Sequence, residues 1–202
     1  MILVAHRRNT VDLLRATPSD LGVEMDVRTR GDRLVVTHDP FTDGPDLDVW
    51  LRAWSHRLLI VNTKEEGLEE RIEAVLAAAG VQDWFFLDQT FPFLMRTLRR
   101  GQDRVAVRVS DYEHPGTAMA LAGRARWVWL DGFHGFPVAD EVVVALRGAG
   151  YRICLVSPEL HGRDPGEIDA WRGRAQALGL FDAGDAVAVC TRHPERWVPV
   201  SS

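Results

Sequence analysis

Short apolar runs rich in β-branched and aromatic residues alternate along the chain with longer segments of helical periodicity. This is the pattern of repeated βα units around a parallel sheet. Eight runs read as strands: residues 2–6, 22–27, 58–62, 84–88, 105–109, 127–131, 151–156 and 186–190. Helices are expected at 10–16, 47–54, 67–79, 92–99, 117–122, 139–147 and 167–177. The segment 67–79 is the clearest, with Leu68, Ile72, Val75, Leu76 and Ala79 on one stripe. Gly80, Gly101, Gly148 and Gly150 stand where helices should end, and Pro92 and Pro137 where they should begin. A further short strand at 34–37 follows the turn Arg30-Gly31-Asp32-Arg33 and reads as a hairpin in the second βα loop. Eight such units in 202 residues predict an α/β fold, a compact (β/α)8 TIM barrel. The chain reads as one domain over residues 1–202, with 39–46 as its loosest loop.

In a barrel of this kind the active site forms where the strands end, so an enzyme should be polar there. The strand ends carry His6, Arg7, Glu24, Asp26, Asn62, Lys64, Asp88, Arg108, Ser110, Asp131, Ser157, Thr191 and Arg192. Loops also begin at strand ends and are polar for that reason, so the weight lies in the accumulation. Glu24 and Asp26 stand out. At i and i+2 on a strand they share one face, while Val23, Met25 and Val27 share the other. One reading is a solvated edge strand whose acids pair with Arg28 and Arg30. The other is a pair of hard oxygen ligands around a divalent cation, because two buried acids side by side require a positive partner.

Composition narrows the function classes. Lys and Arg total 24 against 29 Asp and Glu, a net charge of −5 with no long basic run, which argues against nucleic acid as a partner. No apolar stretch approaches the ~20 residues of a membrane span, and no signal-peptide pattern follows Met1, so a cytoplasmic location is expected. Cys154 and Cys190 lie in apolar strand runs and read as buried thiols. Trp127 and Trp129 read as packing residues. Asp88 and Asp131 are open between helix capping and a functional role. His56, His114, His134, His161 and His193 read as surface or loop residues.

The segments AHRRNT at 5–10, VEMDV at 23–27 and VVTHDP at 35–40 together resemble the glycerophosphodiester phosphodiesterase family, within the superfamily of phosphatidylinositol-phospholipase-C-like phosphodiesterases. The resemblance lies mainly in residues 2–64 and marks a divergent member. It implies metal-dependent hydrolysis of a glycerophosphodiester-like small phosphorylated substrate. His6 and His38 match the acid/base pair, Glu24 and Asp26 the metal ligands, and Arg7 and Lys64 basic residues near the phosphate. Arg108 is a further candidate for holding an anion. The implied cofactor is a divalent ion, Mg²⁺ or Ca²⁺. Asn62 stands where the family has a third acid, so Asn62 itself, Asp88, Glu113 or Asp131 are the candidates for a further ligand. Arg192 replaces an Asp of the family. Two alternatives stay beside hydrolysis: a cyclising phospholipase-C-type lyase, and a catalytically weak barrel that binds a sugar phosphate.

Overall fold

The structure is a computed structural model that describes residues 1–198; the last four residues of the expected domain lie outside the described residues. The strands are β1 Ile2–Ala5, β2 Gly22–Arg30, β3 Arg33–Val36, β4 Leu59–Thr63, β5 Trp84–Leu87, β6 Ala106–Ser110, β7 Trp127–Asp131, β8 Arg152–Val156 and β9 Val187–Thr191. The helices are α1 Val11–Ala16, α2 Leu47–Leu51, α3 Glu69–Ala78, α4 Phe91–Arg99, α5 Pro115–Ala120, α6 Asp140–Gly148 and α7 Glu167–Ala177. Eight strands are parallel and alternate with helices, and β3 is the hairpin partner of β2. The fold is therefore of the (β/α)8 TIM-barrel class.

The chain divides into two compact units. In His6–Val105, β2, β4 and β5 pair in parallel, with Val23 opposite Leu59 and Leu59 opposite Trp84. The outer half of β2 continues past β4 and pairs with β3, from Val27 opposite Val36 to Arg30 opposite Arg33. Gly31 makes that turn at φ +60°, a left-handed conformation that side chains disfavour. Thr10 caps α1 by accepting the Leu13 N–H.

The other unit joins Met1–Ala5 to the described residues from Ala106 onward. Here β6, β7, β8, β9 and β1 pair in parallel in that order. Trp127 and Trp129 are buried, as expected for packing residues, and the Arg152 guanidinium lies 4.1 Å from the Trp127 ring centroid. Cys154 and Cys190 are buried thiols.

Strand and helix positions follow the periodicity closely, with shifts of one or two residues at most ends. The exceptions are β2, which runs on to Arg30 rather than 27 because it pairs with β3, and α2, which stops at Leu51 rather than 54. Three 3₁₀ segments, Pro158–His161, Phe181–Ala186 and Pro194–Trp197, were not expected from sequence. Segments of one or two turns are too short to carry a period. Among the described residues, no helix is long and apolar enough to cross a membrane.

Candidate active site

The site is built on β2 and on the loop that follows β1. Val23, Met25 and Val27 are buried on one face of β2, while Glu24 and Asp26, each 1% exposed, are buried on the other. This excludes the solvated-edge reading. Arg28 and Arg30 turn elsewhere: Arg28 Nε donates to the His38 carbonyl, and Arg30 Nη1 donates to the Phe41 carbonyl.

Residues 6–9 fold back over the two acids. The backbone N–H of Arg8 donates to the Glu24 carbonyl at 2.8 Å, and the buried Trp50 indole N–H donates to the Arg8 carbonyl at 2.9 Å. Arg7 sits at φ +54°, a strained conformation for a non-glycine residue, and its N–H donates to Glu24 Oε2 at 2.7 Å. Asn9 makes a two-point contact with Asp26: its amide donates to Oδ2 at 2.7 Å, and its own oxygen accepts the Asp26 N–H at 3.0 Å. His6 Nε2 lies 3.7 Å from Glu24 Oε2, and Arg7 Nε lies 3.6 Å from Asp26 Oδ2.

Each carboxylate thus has one oxygen tied by the loop. The other oxygens, Glu24 Oε1 and Asp26 Oδ1, are buried and have no hydrogen-bond partner of good geometry. Asn62 Oδ1 shares this condition, and Asn62 stands opposite Asp26 in the β2–β4 register. Burial, then repulsion from Asp26, raises the Glu24 pKa to about 8. The Arg7 N–H, Lys64 and the Asn62 amide pull it back down. Lys64 Nζ lies 3.2 Å from Asp26 Oδ1 and 3.5 Å from Asp88 Oδ2. It compensates charge at Asp26 Oδ1.

Two carboxylate oxygens and an amide oxygen, all buried and none accepting a hydrogen bond, are donors of the kind a small hard cation takes up, although Asp26 Oδ1 also faces the Lys64 ammonium. Among the described residues no group of three or more His, Cys, Asp or Glu side chains is placed to hold an ion. The set that fits is therefore Glu24, Asp26 and the Asn62 carbonyl, with no third acid.

The remaining expected residues fall in three places. Asp88 pairs with Lys64 and sits at φ +61°, and the residue at the N-cap position of α4 is Thr90. His38 pairs with its neighbour, Nδ1 to Asp39 Oδ1 at 2.7 Å, and that hydrogen bond holds the Asp39 carboxyl below its usual range. Arg108, Glu113 and Asp131 belong to the other unit and have partners there. Asp131, 2% exposed, takes Arg108 Nη1 at 3.1 Å and is hydrogen-bonded to His161 Nε2, and Glu113 accepts the Ser110 hydroxyl.

Two residues were passed over by sequence reasoning. Asn9 was hidden because nothing in AHRRNT separates a carboxylate harness from an ordinary loop residue. His161, expected to be a surface or loop histidine, packs its ring against Phe133 with centroids 4.4 Å apart and planes tilted by 46°, and reaches Asp131, thirty residues away in sequence. No spacing rule could have joined those two.

No family model matches the chain, and no curated protein matches it. Solved structures do. A glycerophosphodiester phosphodiesterase from Agrobacterium tumefaciens str. C58 superposes with a TM-score of 0.69 at 16% identity, covering 98% of this chain and 100% of that one. One from Parabacteroides distasonis ATCC 8503 gives 0.63 at 14% identity, covering 97% and 94%. A glycerophosphoryl diester phosphodiesterase from the same organism gives 0.66 at 13% identity, covering 100% and 88%. Across essentially its whole length, the chain has the fold found in glycerophosphodiester phosphodiesterases.

Proposed function

We propose that this protein is a divergent glycerophosphodiester-phosphodiesterase-like phosphoric diester hydrolase, acting with a divalent cation, Mg²⁺ or Ca²⁺, on a small glycerophosphodiester-like substrate. The observation that carries the reading is the pair of buried acids on β2, each with one oxygen hydrogen-bonded by the loop and one accepting no hydrogen bond, beside Lys64 in a fold shared with phosphodiesterases.

Glu24, Asp26 and Asn62 would hold the ion, which when bound supplies positive charge against the phosphoryl oxygens. Arg7 and Lys64 add cationic groups for the same charge. Arg108, in the middle of β6 and paired with Asp131, stays a proposed anion contact on the strength of its guanidinium alone. His6 and His38 are the acid and base. One accepts the proton of the attacking water as its oxygen bonds to phosphorus. The other delivers a proton to the alcohol oxygen as the P–O bond breaks, so both products leave without a separated alkoxide. Histidine suits both roles because its two protonation states coexist near neutrality.

The test is hydrolysis of bis(p-nitrophenyl) phosphate and a panel of glycerophosphodiesters, with Mg²⁺, with Ca²⁺ and with chelator. Turnover that stops with chelator and falls in His6→Ala and His38→Ala is expected. Turnover indifferent to chelator would remove the cation, and a cyclic phosphate as end product would replace hydrolysis by cyclisation.

A further inference from the structure

The loop after β1 does more than cover the acids. Of the four carboxylate oxygens of Glu24 and Asp26, the loop ties two, Glu24 Oε2 through the Arg7 N–H and Asp26 Oδ2 through the Asn9 amide. The two left over accept no hydrogen bond, and Asp26 Oδ1 has the Lys64 ammonium 3.2 Å away. A carboxylate on a strand turns about its last torsion with little resistance, so burial alone does not decide which oxygen faces the centre. The tie decides it. For Glu24 a backbone N–H makes the tie, which no substitution of that side chain removes. For Asp26 a side chain donates the hydrogen bond, with Arg7 Nε farther off at 3.6 Å, and it grips at two points, the Oδ2 oxygen and the backbone N–H.

We infer that Asn9 is a positioning residue for the cation site: it holds Asp26 in the rotamer that presents Oδ1 to the ion, and it does so from outside the donor set. This rests on the proposed cation-dependent reading. The amide is suited to the task because it carries a donor and an acceptor side by side and no charge, so it ties one oxygen without competing for the ion. Asn9 is itself held by the fold, since Thr10 caps α1 and Trp50 fixes the Arg8 carbonyl.

The experiment is calorimetric titration of Mn²⁺ and Mg²⁺ into wild type, Asn9→Ala, Asp26→Asn and the double variant, with melting temperatures in chelator alongside. Expected is a loss of about 10- to 100-fold in cation affinity for Asn9→Ala, the range for a partner behind a metal ligand. In the Asp26→Asn background the same change should weaken binding no further, because Asn9 acts through Asp26. Asn9→Ala affinity within twofold of wild type, or an equal loss in both backgrounds, overturns the inference and leaves the cation reading standing. A wild-type protein that takes up neither ion overturns both. Should Asn9→Ala fail to fold, Asn9→Ser is titrated in its place and read by the same outcomes.

Discussion

Lys64 Nζ stands 3.2 Å from Asp26 Oδ1, bringing an ammonium group from the segment after β4 against a carboxylate buried on β2. The same ammonium reaches Asp88, so a single cation serves two acids. Lys64 is 17% exposed and Asp26 1%, so water screens this pair weakly.

Lys64→Met should therefore destabilise the protein in chelator by about 1–3 kcal/mol, less than for a wholly unpaired buried charge because Arg7 Nε stays 3.6 Å from Asp26 Oδ2. Urea denaturation measures it. Adding Mg²⁺ should recover part of the loss, since the ion supplies the missing charge, while phosphodiesterase turnover stays depressed.

Glu24 predicts a pH dependence of opposite sign to that of most native carboxylates. Its pKa in the folded protein, about 8, lies above the ordinary value of 4.5. Between those values the folded state holds a proton that the unfolded state has released, so stability falls as pH rises through the window and levels off above it. Melting in chelator from pH 4.5 to 8.5 should show that decline. Glu24→Gln should flatten it, and a divalent cation should oppose it because its binding displaces the proton.

Glu159 predicts the ordinary sign. It is 3% exposed, and burial pushes its carboxyl up, but hydrogen bonds from Ser157, Thr191 and the Arg192 N–H outweigh burial and hold it below 4.5. Its contribution is complete above 4.5 and is lost as pH falls through the depressed value. Glu159→Ala leaves those donors unmatched and should destabilise by about 1–3 kcal/mol near neutral pH. The deficit should shrink in acid.

Gly44 admits no side chain. A Cβ there would lie 2.3 Å from the Val36 carbonyl oxygen, which belongs to the backbone and cannot rotate away. Gly44→Ala should destabilise by about 1–3 kcal/mol. It should also lower turnover, because the displaced loop follows directly on His38 and Asp39. Thermal unfolding and kcat together test this.

The alternation of strands and helices was legible because burial imposes a period on sequence, two for strands and 3.6 for helices. The shared face of Glu24 and Asp26 was legible for the same reason. His6, Arg7 and Lys64 could be named as site candidates because each sits at a strand end, and in this fold strand ends form the active-site rim.

What chain order could not carry was contact between elements. The burial of both faces of β2, which removes the solvated-edge reading, depends on strands and loops far apart in sequence packing around it. Asn9 on Asp26 and His161 on Asp131 are of the same kind: a hydrogen bond joins atoms, and residues 17 or 30 positions apart share no local pattern. The sequence by itself determined which chemistry was present on which strand. Only the tertiary structure decided which carboxylate oxygens accept a hydrogen bond and which do not, because that choice lies in side-chain torsions set by neighbours that folding brings together.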